Sequence, residues 1–278
     1  MTNIISLGMG VQSTALYFQS SMGEIPRADL AIFVDPGKEK TQTLEYHHFL
    51  EDWRSKNNGI PIKVVSKKNL FVDLLNKDEN KRFASIPCFT KDPENGKVGM
   101  LRRQCTNEYK IMQVDKAISE YYGLKKYARR PKTAVWLGIT VDEVDRISYP
   151  KSAWKINVFP YLNYHTSSNN VSKSVKYFDN YVNRNDLYAW YKNNNLPIPI
   201  KSGCVFCPFQ SDFNWYDLKE NYPEDFEAAI EVDIAIRNDP KSKGRERFLH
   251  KSCVPLNQVK FNQEDQTSLG DCFGHCQI

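Results

Sequence analysis

The sequence has no run of about 18 consecutive apolar residues, and its mean hydropathy of -0.58 argues against an intrinsic membrane segment. No basic stretch followed by an apolar core opens the chain at Met1, so no secretory leader is expected and a cytoplasmic location is. Neither sign of charge dominates. The 38 Lys and Arg stand against 33 Asp and Glu, and the resulting +5 permits an anionic partner such as a nucleotide or nucleic acid without demanding one. Internal repeats and low-complexity tracts are absent. Histidine is scarce at five residues; His47, His48, His165 and His250 read as structural or surface positions, while His275 sits inside a cysteine pair. Cysteine is not scarce. Seven in a reducing compartment, an odd number, fit metal ligation or thiol chemistry better than a disulfide framework.

At 278 residues the chain exceeds one typical domain, and strands alternate with helices in its first half. Ile4, Ile5 and Leu7 predict a strand, Gly8 and Gly10 a turn, and Val11, Ala15, Leu16 and Phe18 one face of a helix. Leu30 to Val34 predicts a second strand and Thr41 to Lys56 a second helix. Ile62 to Val65, a short helix over Leu70 to Leu75, and Thr133 to Ile139 extend the pattern to a parallel sheet covered on both faces. The polar stretch from Asn76 to Gln104 reads as a mobile loop over a site, with Cys88 an exposed thiol within it; a helix from Asn107 to Tyr122 follows. Two regions are expected: a nucleotide-binding α/β domain over 1–150 and a smaller, irregular, cysteine-bearing region over 151–278, with one clear helix from Pro223 to Arg237.

The turn between the first strand and first helix runs Ser6-Leu7-Gly8-Met9-Gly10-Val11-Gln12-Ser13-Thr14. Glycines let backbone approach a phosphate, a helix N-terminus presents free N–H groups, and Ser6, Ser13 and Thr14 add hydroxyl donors. The spacing matches neither the Gly-Lys-Ser/Thr phosphate loop nor the dinucleotide glycine pattern, since Ser13 stands at the third glycine. A tight structural turn accounts for the spacing equally well.

This run resembles the PP-loop of the ATP pyrophosphatase and phosphoadenosine phosphosulfate (PAPS) reductase superfamily. Many members carry aspartate before the final serine, where this chain has Gln12. Asp35-Pro36-Gly37-Lys38-Glu39, with Thr43 beyond, is similar to the family's Asp-Thr-Gly-x-Glu segment lining the adenosine pocket. Arg102-Arg103-Gln104-Cys105-Thr106, with Tyr109 and Lys110, resembles its Cys-Thr-x-x-x-Lys element; Gly138-Ile139-Thr140, with Asp142, Glu143 and Arg146, its Gly-Ile-x-x-Asp-Glu-x-x-Arg element; and Lys201-Ser202-Gly203-Cys204-x-x-Cys207-Pro208 the Lys-Ser-x-Cys-x-x-Cys-Pro element of a PAPS-reductase-like branch. The resemblance covers most of the chain and implies an open parallel sheet of the adenine nucleotide alpha hydrolase (HUP-like Rossmann-type) architecture. Within it, Ser6, Gly8, Gly10, Gln12, Ser13, Thr14, Asp35, Gly37, Gly138 and Asp142 would bind nucleotide. Cys105, Lys110 and Arg146 would carry the chemistry. Asp142 and Glu143 would either hold Mg²⁺ or pair with Arg146.

Cys204 and Cys207 have metal-ligand spacing, and Cys272 and Cys276 supply a second pair, sufficient for zinc or a [4Fe-4S] cluster. Cys105, behind two arginines at a helix start, is a further ligand, a nucleophile or a packed thiol. Cys253 is expected to be a small buried residue. Two enzymatic readings follow from the resemblance. In the first, ATP adenylates an acceptor such as tRNA or DNA, as in DNA phosphorothioation ATPases, and sulfur from a donor such as a cysteine desulfurase displaces AMP. In the second, the chain reduces PAPS or adenosine phosphosulfate (APS) to sulfite, with Cys272 as nucleophile. A non-catalytic nucleic-acid-binding module is the third possibility, because Lys97 to Lys132 holds ten Lys or Arg against three Asp or Glu.

Overall fold

The computed structural model describes residues 1–76, 86–102, 104–168, 171–237 and 244–264. The chain is α/β, built on a seven-stranded sheet. The strands are β1 (Thr2–Leu7), β2 (Leu30–Val34), β3 (Ile62–Val65), β6 (Thr133–Trp136), β7 (Lys155–Phe159), β8 (Tyr164–Ser167) and β9 (Val171–Ser174), in the order β3-β2-β1-β6-β7-β8-β9. The four expected strands β1, β2, β3 and β6 pair in parallel; β7, in the stretch expected to be irregular, joins them in parallel, and β8 and β9 add antiparallel. Every residue of β2 and β6 is buried, which is why they read as unbroken apolar runs rather than alternating ones.

Helices cover both faces. On one, α1 (Val11–Met22), α2 (Thr41–Lys56) and α5 (Arg184–Asn193) share a core holding Leu16, Tyr17, Phe18, Leu50, Trp136 and Tyr191. On the other, α4 (Met112–Tyr121) packs Val114, Ala117 and Ile118 against Ile4, Ile32 and Val135. After β3 the chain returns across the sheet to place β6 on the far side of β1. That reversal opens a crevice beyond the carboxyl ends of β1 and β6, the position at which open α/β sheets take ligands.

A second core combines distant segments: α3 (Leu70–Leu75), α6 (Asp212–Asn221) and α7 (Pro223–Arg237) with Cys88, Tyr109, Phe206 and Leu249. Above it β4 (Phe89–Lys91) pairs antiparallel with β5 (Val98–Met100) on one side and β10 (Glu246–Phe248) on the other. The expected boundary at 150 therefore falls inside the large sheet, and the second core draws on chain from both sides of it. The stretch expected as a mobile loop contains two of these strands, and Cys88, expected to be exposed, is fully buried with its thiol pKa pushed up to about 12 by burial. Residues 77–85 of that stretch lie outside the described residues. The helix expected from 107 begins as a π-helical turn, Thr106–Ile111, before α4.

Asp233 holds the second core together. Its buried carboxylate accepts the backbone N–H groups of Leu249 at 2.9 Å and Leu256 at 3.0 Å and pairs with Arg237. Asp233→Ala would leave two buried donors and a guanidinium unmatched. It is expected to cost about 3 kcal/mol or more, read as a lower urea midpoint at unchanged slope.

Candidate active site

The glycine turn folds over itself. Gly8 donates its N–H to Ser13 Oγ at 3.1 Å, Ser13 Oγ reaches the Gly10 carbonyl at 3.3 Å, and the buried Met9 between them has a left-handed φ of 57°. Gly10 precedes α1 with no side-chain cap, so the first N–H groups of the helix have no side-chain acceptor at that residue. Gly138, just beyond β6, lies against the same turn; a Cβ there would stand 2.7 Å from Ser13 N and 2.8 Å from the Gln12 carbonyl carbon. Gly37 is constrained twice, by a φ of 91° and by Asn69, whose Oδ1 would be 2.3 Å from a Cβ. Asp35 shapes that loop by accepting the Gly37 N–H at 2.8 Å.

Beside the turn is a cavity of about 380 Å³. Gly10, Val11 and Gln12 line one part, Cys105, Thr106, Tyr109 and Lys110 another, and Lys201 to Cys204 with Cys207 a third. A small recess of about 30 Å³ at the ends of β1, β2 and β6 is lined by Ser6, Gly8, Val34 and Leu137, and Lys110 borders both spaces. Four expected nucleotide contacts, Ser6, Gly8, Gly10 and Gln12, thus border these spaces. Ser13 and Thr14 are buried behind the turn, and Asp35, Gly37 and Gly138 shape the loops without bordering the large cavity.

Lys110 forms an ion pair of 2.9 Å with Glu39, whose side chain is fully buried and whose second oxygen, Oε2, has no hydrogen-bond partner among the described residues. Burial acts to lower the Lys110 pKa, but Glu39, Cys204 and Cys105 outweigh it and hold the amine well above its ordinary value. The strand-like segment carrying Glu39 pairs with the cysteine hairpin: Glu39 bridges Cys204, Val205 N–H donates to Lys38 O at 3.0 Å, and Lys40 N–H to Gly203 O at 3.3 Å. Cys204 is consequently enclosed, and burial, reinforced by Glu39 and opposed by Lys110, raises its thiol pKa well above normal.

Glu143 is the hub at the other side. Its carboxylate accepts Gln12 Nε2 at 3.0 Å and pairs with Arg146 and Arg184, each at 2.5 Å. Asp142 does not border the cavity; it accepts the Arg184 backbone N–H at 2.6 Å and lies 3.3 Å from Thr140 Oγ1. Of the two alternatives for this pair, the described structure has Glu143 in ion pairs with Arg146 and Arg184. The metal expectation divides similarly. Cys105, Cys204 and Cys207 line one cavity, yet among the described residues no group of three Cys, His, Asp or Glu is placed to hold a metal. Cys272 and Cys276, and with them Arg103 and His275, lie outside the described residues. Cys253 is buried, as expected; His250 is buried too, with Nε2 3.2 Å from Asp212.

Two cationic residues escaped the sequence reading. Arg184 has a signal in its capping box, Asn183 with Asp186, which marks the start of α5. Lys40 has none: it reads as one more surface lysine, yet it is only 6% exposed and borders the cavity. Among the described residues, five cationic side chains therefore line the space (Lys40, Lys110, Arg146, Arg184 and Lys201) against one lining carboxylate, Glu143. Such an excess suits a polyanion. No protein-family model, curated protein or solved structure matches the chain.

Two outcomes are expected. Gly138→Ala drives a methyl into backbone rather than a flexible side chain, so a loss of about 1–3 kcal/mol should appear in urea unfolding. Burial lowers the Lys40 pKa to about 8 from 10.5, with Lys201 adding to the effect and Cys207 and Glu39 opposing it. Below pH 8 the amine is charged in folded and unfolded chains alike and the cost of burying that charge is fully present; between 8 and 10.5 the folded chain loses its proton first and the cost fades. Lys40→Met should raise the melting temperature at pH 7, with the advantage shrinking through that window.

Proposed function

We propose that the chain is a nucleotide-dependent sulfur-transfer enzyme of the PP-loop type, its sheet being of the adenine nucleotide alpha hydrolase kind. One observation carries the reading. The glycine turn opens onto a cavity with five cationic side chains and one already paired carboxylate, and three cysteines from two distant segments line the same space.

In this reading the phosphates of ATP lie at Gly8 to Gln12 and the α1 N-terminus. An acceptor oxygen attacks the α-phosphorus, the bond to the bridging oxygen breaks, and pyrophosphate leaves with the electron pair. A sulfur nucleophile then displaces AMP from the activated acceptor. Lys110 and Arg146 stabilise the charge that develops on the phosphoryl oxygens, acting from positions fixed by Glu39 and Glu143 rather than reorganising during the step. Cys105 borders the cavity beside Lys110, where a thiolate or persulfide would be electrostatically favoured. A [4Fe-4S] cluster at Cys204 and Cys207, completed by Cys272 and Cys276, would deliver sulfur or hold the second region in place, and zinc on the same ligands would do only the latter. Sulfur itself would come from a donor such as a cysteine desulfurase.

Incubating the protein with ATP and Mg²⁺, with and without tRNA or DNA, should yield pyrophosphate and AMP, with Lys110→Ala lowering the rate at least tenfold. Release of neither product under any condition overturns the proposal. Sulfite release from PAPS or APS with a thiol reductant would identify a sulfonucleotide reductase instead.

A further inference from the structure

The nine residues Leu124–Lys132 join α4 to β6 at the end of the sheet opposite the cavity. They contain five cationic residues and no acid. Lys125, Lys126, Arg129 and Lys132 are exposed, and among the described residues no carboxylate pairs with them. Arg130 has a different job: its guanidinium lies 4.8 Å from the Trp154 ring centroid and its Nε donates to Ser119 at 2.6 Å, anchoring the loop to the body of the protein. Thr133 N–H bonds to Trp154 O at 2.9 Å, which sets the exposed Lys151 segment alongside and widens the basic patch.

At the centre stands Tyr127, 91% exposed. Ala128 N–H closes a four-residue turn onto Lys125 O at 3.0 Å, with Tyr127 in its third position at a φ of 70°. Glycine or asparagine normally supplies that conformation, and a bulky residue there is strained. The strain is not offset by burial, since the ring touches solvent and the Lys126 amine, 4.9 Å from its centroid. A strained, displayed aromatic ring surrounded by exposed cations has the two elements of a nucleic-acid surface: a platform for a base and charges for the flanking phosphates.

We infer that Leu124–Lys132, with Lys151 beside it, binds single-stranded nucleic acid, with one base stacked on Tyr127 and its neighbouring phosphates held by Lys125, Lys126 and Arg129. Only the role of the bound strand as acceptor rests on the sulfur-transfer reading; its binding does not. Lys132 and Gly138 are six residues apart along an extended strand, about 20 Å. An acceptor that uses both ends of the sheet is therefore a polymer and not a mononucleotide.

Fluorescence anisotropy with a labelled 20-nucleotide RNA or DNA single strand, in the absence of ATP, tests this. Binding should weaken with salt, and the K125A/K126A/R129A variant should reduce the slope of log affinity against log salt by about two. Tyr127→Ala should weaken binding about tenfold at unchanged slope. Tyr127→Gly should do the same while keeping or raising the melting temperature, because it removes the strained side chain and nothing buried. The binding assay contains no ATP, so a failed pyrophosphate assay leaves this result standing. Unchanged affinity and slope in the triple and Tyr127 variants would overturn the inference. So would equally strong, Tyr127-independent binding to vesicles containing phosphatidylserine, which would make the loop a membrane-surface patch.

Discussion

The whole site depends on a few backbone hydrogen bonds between Lys38–Lys40 and Gly203–Val205. This short pairing ties the loop after β2 to the cysteine hairpin, and it is what brings Cys204 beside Glu39 and Lys110. Asp225 reinforces it from α7 by accepting the Thr41 N–H at 2.8 Å and lying 3.8 Å from the Lys38 amine. Glu39 can be fully buried only because Lys110 compensates its charge, and Lys110 is fixed by the same contact. The large sheet and the second core are therefore joined through a buried ion pair.

The resemblance departs from its pattern at Gln12, and the structure gives that departure a physical context. Gln12 donates its amide to Glu143. A carboxylate at position 12 would face the Glu143 carboxylate at hydrogen-bond distance, and the two would repel. The amide instead completes a neutral-to-charged contact and leaves Arg146 and Arg184 to balance Glu143. Glutamine at 12 and glutamate at 143 thus fit one another.

Much of this was legible in the sequence because it is local. The unbroken apolar run of β2, the glycine turn after β1, and the bounds of α2, α3 and α7 depend on neighbouring residues and emerged where expected. The capping box at Asn183 was equally local and was overlooked among the prolines and asparagines of the second half. What could not be read is non-local. β4, β5 and β10 are three residues each, and β4 meets β10 across some 150 residues of chain, so no periodicity announces them. Burial of Cys88 goes with that assembly, and burial of Lys40 comes from the equally distant cysteine hairpin at Gly203 to Cys207. A polar neighbourhood in sequence says nothing about the apolar one that packs around a side chain in space.

The π-helical turn at Thr106–Ile111 bears on how this surface tolerates change. In an α-helix, residues five apart diverge by about 140° around the axis. Here Cys105 and Lys110 both border the cavity, along with Thr106 and Tyr109, while Met112 N–H reaches back five residues to Asn107 O. The wider turn accommodates one residue more than an α-turn would. Deleting a single residue from it would let the helix close normally and leave the downstream core contacts of α4 in register, while swinging the thiol and the amine apart. Chain length in this one turn, as much as residue identity, sets which side chains meet.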